Sequence, residues 1–136
     1  MTFDWNNLSS VAEYLNANCD KLSTQNGECV DREATFRTVV NRAYYAAFNV
    51  ANDFVKEKFG GLVEGDGGGH SRLIKTFREY KKENIQFANI ATKLGRIKNN
   101  RVDADYRQQF RQGHPNYTAQ LTMRTSQEII SLIDSI

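Results

Sequence analysis

Proline is almost missing from this 136-residue chain, which holds one, Pro115. Long segments can therefore run as unbroken helix, since proline removes a helical hydrogen bond and clashes with the preceding turn. Cysteine is scarce as well. Cys19 and Cys29 stand ten residues apart with no second pair and no nearby histidine, a pattern of two free thiols that excludes a zinc site or a disulfide framework. Histidine occurs twice, at His70 and His114, so imidazole chemistry has only two places to reside. No apolar run approaches the roughly 20 residues of a membrane span. The start Met1-Thr2-Phe3-Asp4-Trp5 lacks a basic-then-apolar signal, and the expectation is a cytoplasmic protein without membrane contact, metal or cofactor.

What is present is an asymmetric charge. The net value of +2 conceals a segment, residues 70–111, with eleven Lys and Arg against four Asp and Glu, while residues 1–69 hold six against ten. A basic stretch that dense suits a phosphate-bearing or acidic partner, although a solvated helix surface would read the same way.

One domain over residues 1–136 is expected, large enough to bury a core. Its hydrophobic spacing describes helices throughout. The first runs from about Asp4 to Asn18, with Trp5, Leu8, Val11, Ala12 and Leu15 on one face. The second is long. Asp31 is its expected N-cap, Phe36, Val40, Ala43, Ala47, Val50 and Phe54 step by four and three, and Gly60-Gly61 stops it. The run Gly65-Asp66-Gly67-Gly68-Gly69 matches no phosphate-binding loop motif and reads as a connection. A third helix is expected from about Ser71 to Glu83 and a fourth from about Ile85 to Asn100. The last begins near Thr118, with Thr122, Ser126, Ile129, Ile133 and Ile136 as its stripe. No alternating strand pattern occurs, so the fold class is all-α, an antiparallel bundle of four or five helices.

Arg101 is the first candidate for chemistry. The stripe of the fourth helix advances through Phe87, Ile90, Leu94 and Ile97, and the next position in that progression is Arg101. A guanidinium there must meet a carboxylate, carbonyls or a ligand phosphate. Asp103 and Asp105 offer a structural ion pair; a bound phosphate is the alternative. On the second helix Arg42, Tyr45 and Asn49 share a face that could meet Arg101 across a groove, with Tyr45 able to stack on a base. Lys93, Arg96 and Asn100 repeat that spacing on the fourth helix. Arg107 and His114 have the spacing of an arginine-histidine pair, but Gly113 and Pro115 flank the histidine. For His70 the ordinary role is a contact with a neighbouring helix.

Two blocks, Arg42-Ala43-Tyr44-Tyr45-Ala46-Ala47-Phe48 and Arg101-Val102-Asp103-Ala104-Asp105-Tyr106, resemble the HEPN superfamily, closest to its small prokaryotic members reading R-A-Y-Y-A-x-F on the second helix and R-x-x-A-D-Y after the fourth. The resemblance implies a helical homodimer that binds RNA, a nucleotide or a nucleotidyltransferase-type antitoxin partner in a toxin-antitoxin or defence setting. Aromatic surface on the second helix would favour the same dimer. In ribonuclease members the arginine is followed after four to six residues by a histidine; here Tyr106 stands there. The resemblance then implies Arg101 and Tyr106 as the catalytic positions of a metal-independent endoribonuclease, if the protein cleaves at all, with Arg42, Tyr45, Asn49, Arg96, Asp103 and Asp105 around the ligand. A phenol with a pKa near 10 is a poor base at neutral pH. Binding without turnover is the favoured expectation, and a non-catalytic structural or regulatory subunit is the remaining one.

Overall fold

A computed structural model describes residues 2–136 as an all-α bundle of five helices: α1 (Asn6–Ala17), α2 (Arg32–Phe59), α3 (Gly69–Glu79), α4 (Ile85–Tyr106) and α5 (Pro115–Asp134). The 28-residue α2 is the axis, packed against all four other helices. Its start and stop follow the sequence. The Asp31 carboxylate accepts from Ala34 N at 3.2 Å, and Gly60 takes the left-handed φ of +78° while donating its N–H back to Lys56 O. No helix among the described residues is long and apolar enough to cross a membrane.

Several expected boundaries move. α5 starts at Pro115, which occupies the first turn, where the missing N–H costs nothing. α3 starts two residues earlier than expected and ends at Glu79. The largest change is in α4, which continues past Asn100 through Tyr106 and so carries the whole Arg101 block on its last two turns. Val11, expected on the buried face of α1, lies at the edge of that face and is 44% exposed. Ile136 is exposed too. The aromatic surface expected on α2 is largely covered inside the chain: Tyr44 is buried and Tyr45, Phe48, Phe54 and Phe59 are half-buried against the core, which removes that argument for a dimer.

The core divides in two. Tyr44, Leu73, Phe77, Phe87, Ile90, Leu94, Ile97 and Ile129 form one cluster, while Ala12, Phe36, Val39, Val40, Ala104 and Phe110 form the other. Along α4, Ile97 belongs to the first and Ala104 to the second, so Arg101 marks the seam between them.

What allows α4 to run so far is Arg37 of α2. Its guanidinium donates to the carbonyls of Asp103 (3.1 Å), Ala104 (2.9 Å), Arg107 (2.7 Å) and Gln108 (2.8 Å), its Nε pairs with Glu33, and its plane lies over Phe110 at 4.8 Å. A helix leaves its last carbonyls without partners and carries partial negative charge there; Arg37 answers both. Asp103, 3% exposed at its side chain, fastens the following loop by accepting from Arg111 N and Nε and pairing with Arg107.

Arg37→Ala is predicted to lower stability by about 2–3 kcal/mol, the scale of losing charge-assisted hydrogen bonds to part-buried acceptors. Arg37→Lys will recover little of this, because an ammonium cannot span four carbonyls. Urea denaturation gives the first number. Hydrogen exchange should show protection lost selectively in residues 101–106, and uniform loss along α4 would contradict the capping role.

Candidate functional site

Arg101 is the centre. Its side chain is nine-tenths buried, yet among the described residues its only ion pair is with Asp105 one turn on, at 3.5 Å, and its Nε has no hydrogen-bond partner. Asp105 is shared, accepting also from Asn41 Nδ2 at 3.2 and 3.3 Å, and Asn41 in turn accepts from Arg42 Nε at 2.9 Å. Three tyrosines surround the guanidinium: its Cζ lies 5.5 Å from the Tyr44 ring centroid and 5.9 Å from those of Tyr45 and Tyr106. Such contacts are worth about 0.5–2 kcal/mol each and recover part of the desolvation cost. They leave Nε, a buried donor, without an acceptor among the described residues. Arginine packed this way is oriented by its neighbours and still able to bind an anion in a forked, two-bond fashion.

His70, expected to make no more than a contact with a neighbouring helix, joins this cluster through Tyr44. The Tyr44 hydroxyl and His70 Nδ1 are 2.5 Å apart, the imidazole lies 4.3 Å from the Phe48 ring and 5.9 Å from Tyr45. The same two tyrosines thus touch both Arg101 and His70. Burial holds the His70 pKa below its ordinary 6.5, and the charges of Arg101 and then Lys98 push the same way. Burial pushes the Tyr44 phenol up, the Arg101 charge opposing and Tyr45 adding to the rise, so the hydroxyl keeps its proton. The Tyr44 hydroxyl and Nδ1 share one hydrogen bond, whose direction follows the tautomer of the imidazole.

The start of α3 adds a third element. Gly68 gives no side-chain cap, and the backbone N–H groups of Gly69, His70 and Ser71 have no acceptor among the described residues, since the first helical bond runs from Arg72 N to Gly68 O. Open N–H groups at a helix N-terminus favour anions. The glycine run is no phosphate motif, but by withholding a cap it leaves that end of α3 unsatisfied.

The remaining expected residues divide. Arg42 stands beside Tyr45, its Cζ 5.9 Å from the ring, and with Asn41 and Asp105 it lines an open depression of about 560 Å³ between α2 and α4. Tyr106 lies beside the Arg101 guanidinium and is 76% exposed. Three others lie elsewhere. Asn49 turns its amide back to Tyr45 O at 2.8 Å. Asp103 is consumed by Arg107 and Arg111, and not by Arg101. Arg96 points away from α2, because five residues along a helix rotate a side chain by about 140°, and it lines the opposite groove between α3 and α4. Lys93 pairs with Glu128 of α5. Arg107 and His114 form no pair: Arg107 is held by Asp103, and His114 sits at the head of α5 beside Arg32 and Phe36. Among the described residues no group of three His, Cys, Asp or Glu side chains gathers to hold a metal ion.

A histidine whose folded pKa is depressed contributes stability that is complete above its unfolded pKa and is lost as pH falls below it. Stability should therefore decline from about pH 6.5 downward, toward the lower folded value. His70→Gln should flatten this slope. An NMR titration should place His70 below 6.5 in the native protein and move it back toward that value in Arg101→Ala; an unmoved pKa would contradict the electrostatic link between the two residues.

No family model, curated protein or solved structure matches this chain, so its function is argued from its own residues.

Proposed function

We propose that this protein is a HEPN-type module that binds RNA or a nucleotide by a phosphate group, with Arg101 as the clamp and Tyr45 and Tyr106 as stacking surfaces. The single observation that carries the reading is a guanidinium nine-tenths buried whose Nε has no partner and whose only paired carboxylate, among the described residues, stands at 3.5 Å. A structural arginine would be expected to find closer acceptors. Asp103, which might have supplied one, is committed to Arg107 and Arg111.

A metal-independent endoribonuclease is the second reading, and the nearness of His70 to Arg101 is what favours it. Its weakness is the proton. Cleavage requires a base for the 2′-hydroxyl, and the Nδ1 of the imidazole is already engaged by the Tyr44 hydroxyl. The exposed Tyr106 stands where the ribonuclease members carry a histidine. Binding without turnover is accordingly preferred. The homodimer and a nucleotidyltransferase-type partner, in a toxin-antitoxin or defence setting, belong to the same proposal by way of the resemblance; sedimentation at micromolar concentration that gave a clean 15.5 kDa species would remove the dimer.

The test is a mixed RNA pool in EDTA with the natural protein, Arg101→Ala and Tyr106→Phe. Expected are retention of RNA by the natural protein, no cleavage by any form, and a loss of about 2 kcal/mol, roughly thirtyfold in Kd, in Arg101→Ala. Cleavage abolished by both substitutions would establish the enzyme with Tyr106 in a chemical role. Cleavage abolished by His70→Gln would give that role to the imidazole. Lower stability with unchanged binding in Arg101→Ala would make the arginine a structural ion-pair partner.

A further inference from the structure

The groove between α3 and α4, on the far side of α4 from α2, is a depression of about 420 Å³ with Arg78, Arg96 and Lys98 in its wall and no acidic residue. Ser71, Thr92 and Asn99 complete its polar lining. Neither Arg78 nor Arg96 has an ion-pair or hydrogen-bond partner among the described residues, unlike Lys93 and Lys75 on the same two helices, which are paired with Glu128 and Glu79. Gly95 faces the groove from mid-α4. A glycine there weakens the helix, and it is not demanded by packing, because a Cβ at that position would meet nothing within 4 Å. What it provides is open width between three cations.

One end of this groove adjoins the Arg101 site through Lys98, Ser71 and His70. Lys98 Nζ donates to Ser71 Oγ at 2.8 Å, Ser71 follows His70, and Lys98 and Arg101 both act on the His70 pKa. From Thr92 to Arg101 the path covers about 14 Å of helix axis, more than one phosphate group can occupy. The lining is hydroxyl, amide and guanidinium, with Ile74 the one apolar side chain, and so lacks the buried aromatic or aliphatic anchor on which a protein partner would depend.

We infer that the ligand is a single-stranded polynucleotide and not a mononucleotide: one phosphate lies at Arg101 and the chain continues past Lys98 along Arg96 and Arg78. This rests on the reading of Arg101 as a phosphate clamp. Cations along a groove hold successive phosphates and make binding depend steeply on salt, about 0.7 in the logarithmic slope per contact on a single strand.

The experiment compares fluorescent oligouridylate of about 12 nucleotides with the dinucleotide UpU, on the natural protein, Arg101→Ala, the double variant Arg78→Ala/Arg96→Ala, and Gly95→Glu. The last removes no native contact and puts a carboxylate into the groove; circular dichroism verifies that each variant is folded. Expected is a loss of about tenfold or more for the oligomer in the double variant and in Gly95→Glu, with a salt slope shallower by about 1.4 in the double variant and UpU binding unchanged. Arg101→Ala should weaken both probes. Oligodeoxyuridylate run in parallel distinguishes the sugars, and sensitivity of either polymer to the double variant supports the track. Oligomer binding unaffected by both groove variants overturns the inference while leaving the Arg101 clamp standing. Oligoglutamate that competes as well as oligouridylate, with the same sensitivities, overturns it in favour of an acidic protein partner. If the natural protein binds neither probe, the clamp itself falls and the track with it.

Discussion

The end of α4 is held by one side chain on another helix, and the rest of the site depends on that hold. Arg37 gathers four carbonyls from residues 103 to 108 and is itself oriented by Glu33 and Phe110. Without that cap the last turns of α4, composed of Asp103, Ala104, Asp105 and Tyr106 among charged neighbours, have little intrinsic reason to stay helical: two aspartates near a helix C-terminus oppose the dipole. Once they are helical, Asp105 stands one turn from Arg101, Tyr106 can lie beside the guanidinium, and Asp103 turns inward to secure the loop. The site is thus built on two rigid elements, α2 and α4, with α3 contributing one imidazole and its open N-terminus.

At the seam between the two apolar clusters, Arg101 replaces the residue that packing alone would choose. Its charge is offset by tyrosine faces and a long ion pair, not by a close hydrogen-bonded carboxylate, so the potential it creates is reduced but not cancelled. Burial first, and then that potential, lower the pKa of the neighbouring imidazole. The Tyr44 to His70 contact holds the ring beside the charge and occupies its Nδ1.

The fold was legible because its helices are amphipathic with the spacing of buried faces and because Asp31, Gly60 and Pro115 punctuate them as isolated helices are punctuated. Arg101 was legible for the same reason, as a charge on an apolar stripe. The end of α4 was not. Its cap comes from Arg37, 66 to 71 residues away, and nothing within residues 100–106 announces it. Asp103 and Asp105 look equivalent in the sequence, yet they lie two positions apart on a helix and so face different ways, one to the loop and one to Arg101. Extending the helix through Tyr106 on paper would have separated them. Arg96 was misplaced for the opposite reason: its spacing from Lys93 and Asn100 was read as one face beside α2, whereas the buried positions Ile90, Leu94, Ile97 and Arg101 already define the side that α4 turns toward the core. His70 is visible in the sequence only as one of two histidines, since its partner Tyr44 lies on another helix, 26 residues away.

Gly95 and Arg101 are two places on α4 where the sequence departs from what stability alone would select, one by weakening the helix and the other by burying a charge whose Nε has no acceptor among the described residues. They lie on opposite sides of Lys98, one in the groove toward α3 and one toward α2. Natural proteins accept such local costs where a site requires them. An anion that supplies the acceptors missing at Arg101 would bind the folded chain and not the unfolded one, and the deficit at that residue would return as ligand-dependent stability. On the proposed reading, a phosphate bound at the seam between the two clusters would couple the stability of the bundle to occupancy of the site.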